Sequence, residues 1–492
     1  MLPDLNSTLT SGLRDAFHSA GYTTDGVLTA LGGQAHAAMT RGEPEPARRA
    51  AQDSGPLGTL IRLFLLGDAL PKPEAEAAFK SIDLDTLITA EVLRPTEDGL
   101  RAGLDIRPHD DWWVIADLDA DQRGGPVPSD HVLGIGQASI SLARATARRP
   151  VDTLLDLGTG CGVQALHASR HARRITATDL STRALALAKG TFLLNGIDVE
   201  LGQGEWFAPV ANRRFDQVVC NPPFVVGPPR VDYTYRDSGL GGDDASALVV
   251  RQMPSFLNEG GVGQLLASWL HRKGEDWADR VSSWLPRGGV DAWFVQRDIA
   301  DPALYVGTWL RDAGVDPRSP EGREKATVWL DWFAKNDVEG IGFGFVTLRR
   351  TDADHAEVVC EDLRHAYVDP LGPETSLWLD RVDWLRANGS AESLLATRFE
   401  VPESVLLEEV SSPAEEGWTA LVRRLHRQDG PGWQHELDEV AAALLAGCRG
   451  ALPLEDLVTL LAFAHDEPVE GLIANALPVV RDLVRHGMLR PV

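Results

Sequence analysis

Two short segments of this chain carry residue types that could do chemistry, and each follows a run of apolar residues. In Thr153–Val163 an aspartate, Asp156, precedes a glycine turn, and in Val218–Val225 an asparagine precedes two prolines and an aromatic ring. Glycines at the carboxyl end of a strand permit positive φ and close approach of the backbone to a ligand. The two segments therefore predict a ligand site and a reaction site at one edge of a sheet.

The segment Asn221-Pro222-Pro223-Phe224 predicts a site for a planar NH₂ group. Two prolines fix φ and remove backbone donors, which leaves the Asn221 side-chain oxygen and the Pro222 carbonyl as acceptors. A nitrogen that donates to both would be held toward an electrophile, and Phe224 offers a face on which an amide or base can stack. Such a displacement gains mainly from proximity and alignment. Taken alone, the tetrapeptide could be only a turn.

The glycine turn Gly158-Thr159-Gly160-Cys161-Gly162 has the spacing GxGxG, and no Lys-Ser or Lys-Thr pair follows it. This spacing differs from the dinucleotide and phosphate-loop fingerprints. A ligand that suits such a turn without phosphates is S-adenosylmethionine. Asp156 would then face the cationic methionine end, where a carboxylate offsets positive charge.

Asp179 ends the next predicted strand, where a carboxylate can accept hydrogen bonds from ribose hydroxyls. Its alternative role is to cap the helix that follows. Glu205 and Trp206 could flank an adenine, or they could be a surface acid and a core aromatic. The predicted cofactor contacts are Asp156, Gly158, Thr159, Gly160, Gly162, Asp179, Leu180, Glu205 and Asn221.

The elements that must position these residues alternate between strands and helices from about residue 130 to 350. Alternation of this kind predicts a parallel sheet covered on both faces. Residues 1–105 are expected to be largely helical, followed by strands near 99–106 and 111–117, a pattern that resembles a winged-helix module. Residues 351–492 are expected to form an accessory domain with a strand-rich start and a helical end.

Composition limits the classes of partner and site. The net charge of −25 opposes the binding of phosphate backbones and suits a basic protein partner, or merely solubility. The four cysteines lack metal-ligand spacing, which predicts a reduced, cytoplasmic protein without structural zinc. The histidines, among them His109, His131, His271 and His365, are scattered, so no metal is expected. Neither a signal peptide nor an apolar run long enough for a bilayer is evident.

The central region resembles class I S-adenosylmethionine-dependent methyltransferases that carry the (Asp/Asn)-Pro-Pro-(Tyr/Phe) motif. Within them it is similar to the small-domain group, which includes release-factor glutamine methyltransferases and ribosomal-RNA guanine methyltransferases. The segments that carry the likeness are Leu193–Ile197, Phe215–Phe224 and Leu257–Gly261. The resemblance implies a Rossmann-like α/β domain with a mostly parallel seven-stranded sheet at 106–350, flanked by accessory domains at 1–105 and 351–492.

The same resemblance implies roles for particular residues. The positions that match Asp156, Gly158, Gly160 and Asp179 contact the cofactor in the family, and those that match Asn221–Phe224 hold the acceptor. The segment 131–136 lies where such enzymes close over the cofactor. Arg230, Tyr233, Tyr235 and Arg236 could line the acceptor entrance or form a solvated loop.

Three hypotheses about function follow. The preferred one is methylation of a protein glutamine amide, with a release factor or a ribosomal protein as acceptor. The alternative is methylation of an exocyclic amino group of RNA or DNA, because the glutamine enzymes usually carry Tyr at the Phe224 position and Phe is commoner in the nucleic-acid branch. A non-catalytic binding protein on a methyltransferase fold is the third, and the intact Asn221–Phe224 motif argues against it.

Overall fold

The alternation of strands and helices in the middle of the chain builds one large sheet in the computed structural model, which describes residues 2–123, 128–231, 237–415 and 417–492. The chain folds as two compact units. The first comprises Met1–Ala143 and Pro150–Glu361, and the second comprises Arg144–Arg149 and Asp362–Val492. Within the described ranges, no helix is both long and apolar enough to cross a membrane.

The large sheet belongs to the first unit and contains eight strands among the described residues. They are β5 (Val151–Leu157), β6 (Ala172–Asp179), β7 (Glu200–Gln203), β8 (Phe215–Cys220), β9 (Leu257–Arg272), β10 (Val290–Ala300), β11 (Val338–Arg350) and β12 (Val358–Asp362), numbered after four N-terminal strands described below. Their spatial order is β12-β10-β11-β9-β8-β5-β6-β7. The four pairings from β9 through β8, β5 and β6 to β7 are parallel.

The Rossmann-like α/β class is confirmed, and the sheet has one strand more than the expected seven. β12 is the additional strand, and it lies at the edge beside β10. β11 runs antiparallel to both β9 and β10. The parallel half of the sheet therefore holds both predicted motifs at the carboxyl ends of its strands, where ligands bind in such folds.

The N-terminal segment of the first unit is helical and then turns into two hairpins. Its helices are α1 (Ser7–Ala20), α2 (Thr24–Thr40), α3 (Glu45–Ala51), α4 (Gly55–Leu60), α5 (Lys72–Ala78) and α6 (Leu84–Thr89). The hairpins pair β1 (Leu93–Thr96) with β2 (Gly99–Ala102) and β3 (Asp105–His109) with β4 (Trp112–Ala116). The strands expected around a single turn are thus divided between two hairpins, and a short helix, α7 (Ala120–Arg123), follows them.

Seven helices accompany the large sheet among the described residues. They are α8 (Gln137–Ala145), α9 (Val163–Ala168), α10 (Thr182–Asn195), α11 (Asp244–Gln252), α12 (Trp277–Ser282), α13 (Pro302–Asp312) and α14 (Pro320–Lys335). α9 and α10 follow β5 and β6 directly, so their N-termini lie at the edge of the sheet that carries the motifs. The last four residues of β8 and the last four of β5 are buried, as expected for strands covered on both faces.

The N-terminal segment packs directly on α10. The β4 backbone at Trp113 exchanges hydrogen bonds with the Asn195 side chain at 2.9 and 2.7 Å, and Ile115 N–H donates to Thr191 Oγ1 at 3.0 Å. From α1, the Arg14 guanidinium donates to the Leu194 carbonyl at 2.6 Å. The β3–β4 hairpin is therefore fixed relative to the helix that starts just after Asp179.

The tryptophans of the segment 269–332 serve packing. Trp269 and Trp284 belong to the main core, while Trp329 and Trp332 pack against a second cluster around Phe333. Trp269 stacks on Trp277 with ring centroids 5.5 Å apart. Burial of these rings is the ordinary use of large aromatic side chains.

The second unit has its own arrangement. Its elements are α15 (Gly372–Asn388), α16 (Ala391–Ala396), β13 (Arg398–Glu400), β14 (Val405–Ala414), β15 (Gly417–Arg427), β16 (Gln434–Glu436), α17 (Glu439–Gly447), β17 (Arg449–Pro453), α18 (Leu454–His465), α19 (Val469–Arg485) and β18 (Arg490–Pro491). The strands form two small sheets, β17-β13-β18 and β14-β15-β16. A helix comes first in this unit, because β12, the strand near the start of the range 351–492, belongs to the large sheet instead. Buried Glu374 accepts two hydrogen bonds from Arg427, at 2.9 and 2.6 Å.

Candidate active site

The glycine turn adopts backbone angles that only glycine accepts easily. Gly158, Gly160 and Gly162 have φ of 76°, 55° and 94°. The N–H groups of Gly158 and Thr159 both donate to the Thr178 carbonyl of β6 at 2.9 Å. A Cβ at Gly162 would lie 2.7 Å from Phe192 Cε1, whereas a Cβ at Gly160 would meet nothing within 4 Å. Gly162 thus allows helix packing, and Gly160 borders open space.

Asp156 lies beneath this turn rather than facing open space. Its side chain is fully buried, and its Oδ2 accepts hydrogen bonds from Thr159 Oγ1 at 2.6 Å and from Ala165 N–H at 3.1 Å. Its Oδ1 has no hydrogen-bond partner among the described residues. Burial raises the pKa of Asp156 to about 7. One oxygen of this carboxylate therefore holds the turn closed, and the other is left for a ligand or a proton.

Asp179 contacts the turn from the neighbouring strand. Its Oδ2 accepts from Gly160 N–H at 2.9 Å, and its Oδ1 accepts from Ser181 N–H at 2.8 Å. Burial raises the pKa of Asp179, while its backbone hydrogen bonds oppose the rise. The cap of α10 is Ser181, which accepts from Ala184 N–H, so Asp179 does not serve as the N-cap. Each carboxylate oxygen keeps a further lone pair for a ligand hydroxyl.

Leu180 and Glu205 extend this edge of the site. The apolar Leu180 side chain is 57% exposed directly after Asp179, so it is accessible at this edge of the site. Glu205 follows β7 and is exposed, and its neighbour Gly204 donates to the Asp179 carbonyl at 3.1 Å. Trp206 is half-buried and packs against the main core. Of the two residues considered beside an adenine, Glu205 is thus the one that faces solvent.

The acceptor motif follows β8 and lies beside the glycine turn. A Cβ at Gly158 would be 3.9 Å from the Asn221 carbonyl oxygen. Asn221 donates through Nδ2 to Ser139 Oγ at 3.4 Å, whereas its Oδ1 is buried without a hydrogen-bond partner in the described part of the chain. Pro222 is buried, and the half-buried Phe224 ring lies 5.3 Å from that of Phe343. The motif therefore presents an unused buried acceptor next to the turn.

The segment 131–136 is tied to the start of α10 through Asp117. This buried carboxylate accepts from Val132 N–H at 3.0 Å and from Arg183 Nε at 2.8 Å. Burial works against its ionisation, but the hydrogen bonds from Arg183 and Val132 hold the pKa of Asp117 below its usual range. The segment then leads into α8, where the Ser139 carbonyl accepts from Gln164 Nε2 of α9 at 2.8 Å.

Sequence reasoning missed these positioning residues, namely Asp117, Ser139, Gln164 and Arg183. Each acts through a partner at least 15 positions away in the chain, as Asp117 does with Val132. A lone serine or glutamine on a helix carries no local pattern that would identify it. Of the residues considered for the acceptor entrance, Arg230 is exposed, and Tyr233, Tyr235 and Arg236 lie outside the described residues.

A small cleft adjoins the acceptor motif. It is lined by Val225, Gly227, Pro228, Arg230, Asp237, Ser238, Leu240 and Trp329. The backbone at its start is fixed because Val226 N–H donates to the buried Tyr305 hydroxyl at 2.8 Å. An acceptor that reaches Asn221 would therefore meet a mixed polar and apolar surface.

Two histidines that seemed unrelated in the sequence meet away from this site. His109 and His167 approach with their Nε2 atoms 2.9 Å apart, and one oxygen of Asp110 lies within 4.8 Å of both. Asp110 also pairs with Arg170 at 3.3 Å, and that guanidinium lies 4.2 Å from the Trp112 ring centre. His109 is scattered from the other histidines in the sequence, but in the fold it meets His167, and with Asp110 the two histidines form a group of potential metal-ligating side chains.

Comparison with known proteins finds a family model that matches the part of the chain containing this site. Residues 134–236 match the model of the methyltransferase small domain. Residues 19–103 and 376–491 match two domains of unknown function, DUF7059 and DUF7782.

Curated relatives match the same central part of the chain. The release factor glutamine methyltransferase of Bordetella pertussis is 31% identical over 177 residues, which cover 33% of this chain and 62% of that protein. The ribosomal protein uL3 glutamine methyltransferase of Bradyrhizobium diazoefficiens is 32% identical over 150 residues, which cover 28% of this chain and 46% of that protein. The ribosomal RNA small subunit methyltransferase C of Alcanivorax borkumensis is 28% identical over 115 residues, which cover 23% and 32%.

The aligned segments span less than two thirds of each of these three relatives. The match nevertheless falls on the glycine turn, Asp179 and the acceptor motif, all of which lie inside residues 134–236. Residues 134–236 are thus a methyltransferase small domain, and the Rossmann-like domain built around them is of the class I, S-adenosylmethionine-dependent methyltransferase type.

Proposed function

We propose that this chain transfers a methyl group from S-adenosylmethionine to the side-chain nitrogen of a protein glutamine. The observation that carries the proposal is the buried Oδ1 of Asn221, which lies beside the glycine turn and has no hydrogen-bond partner among the residues that the structure describes. A buried acceptor without a partner is costly, so such an atom is retained where a ligand supplies the missing donor. An amide NH₂ is a donor of this kind.

The residues at the edge of the sheet fit the cofactor. Open space at Gly160 accommodates a ligand against the backbone, and Asp179 keeps lone pairs for ribose hydroxyls. The exposed Leu180 side chain offers an apolar face for a base, and Asp156 contributes negative charge near the methionine end. When bound, the cofactor supplies an electrophilic methyl group on a sulfonium.

The chain's own residues would then orient the acceptor nitrogen. Asn221 Oδ1 and the Pro222 carbonyl accept its two hydrogens, which withdraws the nitrogen lone pair from the amide and aims it at the methyl group. Ser139 holds the Asn221 amide so that Oδ1, rather than Nδ2, faces the nitrogen. Phe224 stacks on the acceptor plane. The nitrogen loses its proton after transfer, so no strong base is required.

Charge and kinship favour a protein acceptor, and a release factor or ribosomal protein is the proposed partner. The net charge of −25 repels phosphate backbones, and two of the three relatives described above carry names of glutamine methyltransferases. A cytoplasmic location belongs to the same proposal. The second candidate is an exocyclic amino group of RNA or DNA, which the ribosomal RNA relative and the phenylalanine at position 224 favour.

The test uses full-length protein, labelled cofactor, and purified ribosomes and release factors as acceptors. Protein methylation predicts label that survives nuclease and is released by protease as methylated glutamine. Label lost to nuclease would instead promote the nucleic-acid candidate. Salt provides a second discriminator, because a nucleic-acid acceptor loses affinity with a slope of about one logarithmic unit per phosphate contacted.

The mechanistic test is Asn221→Ala. Removal of one aligned acceptor typically lowers turnover on the order of 10²-fold, whereas affinity for the cofactor should change little. Asn212→Ala, a change at an exposed asparagine outside the site, is the matched control and should keep full activity. Methyl transfer at the wild-type rate by Asn221→Ala would exclude this mechanism.

A further inference from the structure

A second buried carboxylate with an oxygen that accepts no hydrogen bond from the described residues lies in the first unit, outside residues 134–236. Asp105 begins β3, opposite Ala116 of β4, and is 1% exposed. It forms an ion pair with the Arg107 guanidinium, yet neither of its oxygens accepts a hydrogen bond of good geometry from the described residues. A buried carboxylate in this state is costly unless something else satisfies it.

Arg107 is shared between two carboxylates. It lies closer to Asp105 than to Asp119, which it contacts at 3.1 Å, and Asp119 is about half exposed and reaches water. The ion pair therefore offsets the charge of Asp105, but it leaves Asp105 Oδ1 without a hydrogen-bond donor among the described residues.

Asp105 lies next to the segment 131–136, which the family resemblance places over the cofactor. A Cβ at Gly134 would be 3.2 Å from Asp105 Oδ2, so this segment passes directly over the carboxylate. The charge of Asp105 also reaches Cys161 of the glycine turn. Burial raises the pKa of the Cys161 thiol to about 12, and the negative charges of Asp105 and Asp156 add to the rise.

The cofactor brings two positive charges, the sulfonium and the ammonium of its methionine end. One oxygen of Asp156 already accepts hydrogen bonds from Thr159 and Ala165. The carboxylate of Asp179 accepts hydrogen bonds from the backbone N–H groups of Gly160 and Ser181. Asp105 pairs with Arg107 through Oδ2 and keeps Oδ1, which has no donor among the described residues. A charge-assisted hydrogen bond from an ammonium group would satisfy that oxygen.

We propose that Asp105 binds the ammonium group of S-adenosylmethionine, so that the hairpin β3–β4 completes the cofactor site of the methyltransferase domain. The inference rests on the cofactor assigned under the proposed function. It gives the hairpin a direct part in binding, in addition to its packing on α10.

The experiment compares two ligands that differ only in this group, S-adenosylhomocysteine and its analogue in which hydrogen replaces the amino group. Calorimetric titration of full-length Asp105→Asn should show S-adenosylhomocysteine binding weakened about 10- to 100-fold, the loss expected for one hydrogen bond to a charged group. The analogue should bind both proteins equally. Asp119→Asn, which removes the other partner of Arg107, is the matched control and should leave both affinities near wild type.

Each remaining outcome is decisive. Unchanged S-adenosylhomocysteine affinity in Asp105→Asn would overturn the inference and leave the proposed function standing. Equal losses for both ligands would mean that Asp105 only supports the shape of the pocket, which also overturns it. Failure of the wild-type protein to bind S-adenosylhomocysteine would instead refute the proposed function. If Asp105→Asn is too unstable to titrate, Asp105→Ser removes the same charge with a smaller side chain and is expected to show the same ligand-selective loss.

Discussion

Substitution by alanine should have different effects at two glycines of the turn. At Gly162 it should mainly lower stability, and at Gly160 it should mainly lower affinity for the cofactor. Both have positive φ, so an alanine at either position incurs about 1–2 kcal/mol of backbone strain. They differ in what the new methyl group meets. At Gly160 it enters open space, and at Gly162 it lies 2.7 and 2.9 Å from two atoms of the Phe192 ring.

The distances at Gly162 set the expected loss of stability. Carbon atoms prefer about 3.5–4.0 Å, so the Gly162→Ala methyl group overlaps the ring by nearly 1 Å. Overpacking of a core in this way costs about 1–3 kcal/mol in addition to the strain. We expect Gly162→Ala to lose about 2–5 kcal/mol of stability, whereas Gly160→Ala should lose only the strain. The Gly160→Ala methyl group, however, occupies the space proposed for the cofactor, and we expect its affinity for S-adenosylhomocysteine to fall at least about tenfold, or 1.4 kcal/mol.

The assay combines thermal or denaturant unfolding of the ligand-free proteins with calorimetric titration of S-adenosylhomocysteine. Phe192→Leu added to Gly162→Ala tests the cause, because a flexible side chain can move away from the new methyl group. The double variant should recover part of the stability beyond the sum of the single changes. Equal stability of the two alanine variants would refute the packing argument, and wild-type affinity in Gly160→Ala would remove that glycine from the ligand site.

Two further predictions concern ionisation and stacking. Burial raises the pKa of Asp156 to about 7 from 3.8, so in the ligand-free protein the charged form destabilises the fold increasingly as pH rises between these values, by about 1.4 kcal/mol per unit. The stability of Asp156→Asn relative to wild type should therefore increase from about pH 5 to 7. If the free energies of unfolding of the two proteins instead changed in parallel with pH, Asp156 would have an ordinary pKa. Phe224→Leu should lower acceptor binding or turnover by about 1–3 kcal/mol, measured by steady-state kinetics, because the half-buried π face is lost. Phe224→Tyr keeps the ring and should remain active, so a fully active Leu variant would contradict the stacking role.

The sequence was enough to predict the fold class because its signals are local. Apolar strands that end in Asp156, Asp179 and Asn221 alternate with amphipathic helices, and the glycines mark where the backbone must turn. β12 lies where a strand-rich start was expected after residue 351, but its place at the edge of the large sheet was not predicted, because five residues carry little periodicity. The single expected turn near residue 110 became two hairpins for a similar reason, since strands of four and five residues are hard to separate.

The candidate site was harder to predict where its geometry depends on distant partners. The sequence places Asp156 at the end of a strand, but only the structure shows that Thr159 and Ala165 occupy one of its oxygens. Ser139 gains its place beside Asn221 through packing of α8, which no local pattern encodes. The roles assigned to the cofactor and acceptor residues stay predictions until the variants are measured.

The hydrogen bonds that Gly160 and Thr159 make with β6 have a consequence for turnover. Because the turn is already ordered without a ligand, most of its conformational entropy is lost when the chain folds and little remains to be lost on binding. Under the proposed function, this preordered turn would contact parts of the cofactor away from the methyl group, which methyl donation leaves unchanged. The turn would then bind the spent cofactor about as well as the fresh one, so we expect the demethylated product to compete with S-adenosylmethionine for the site.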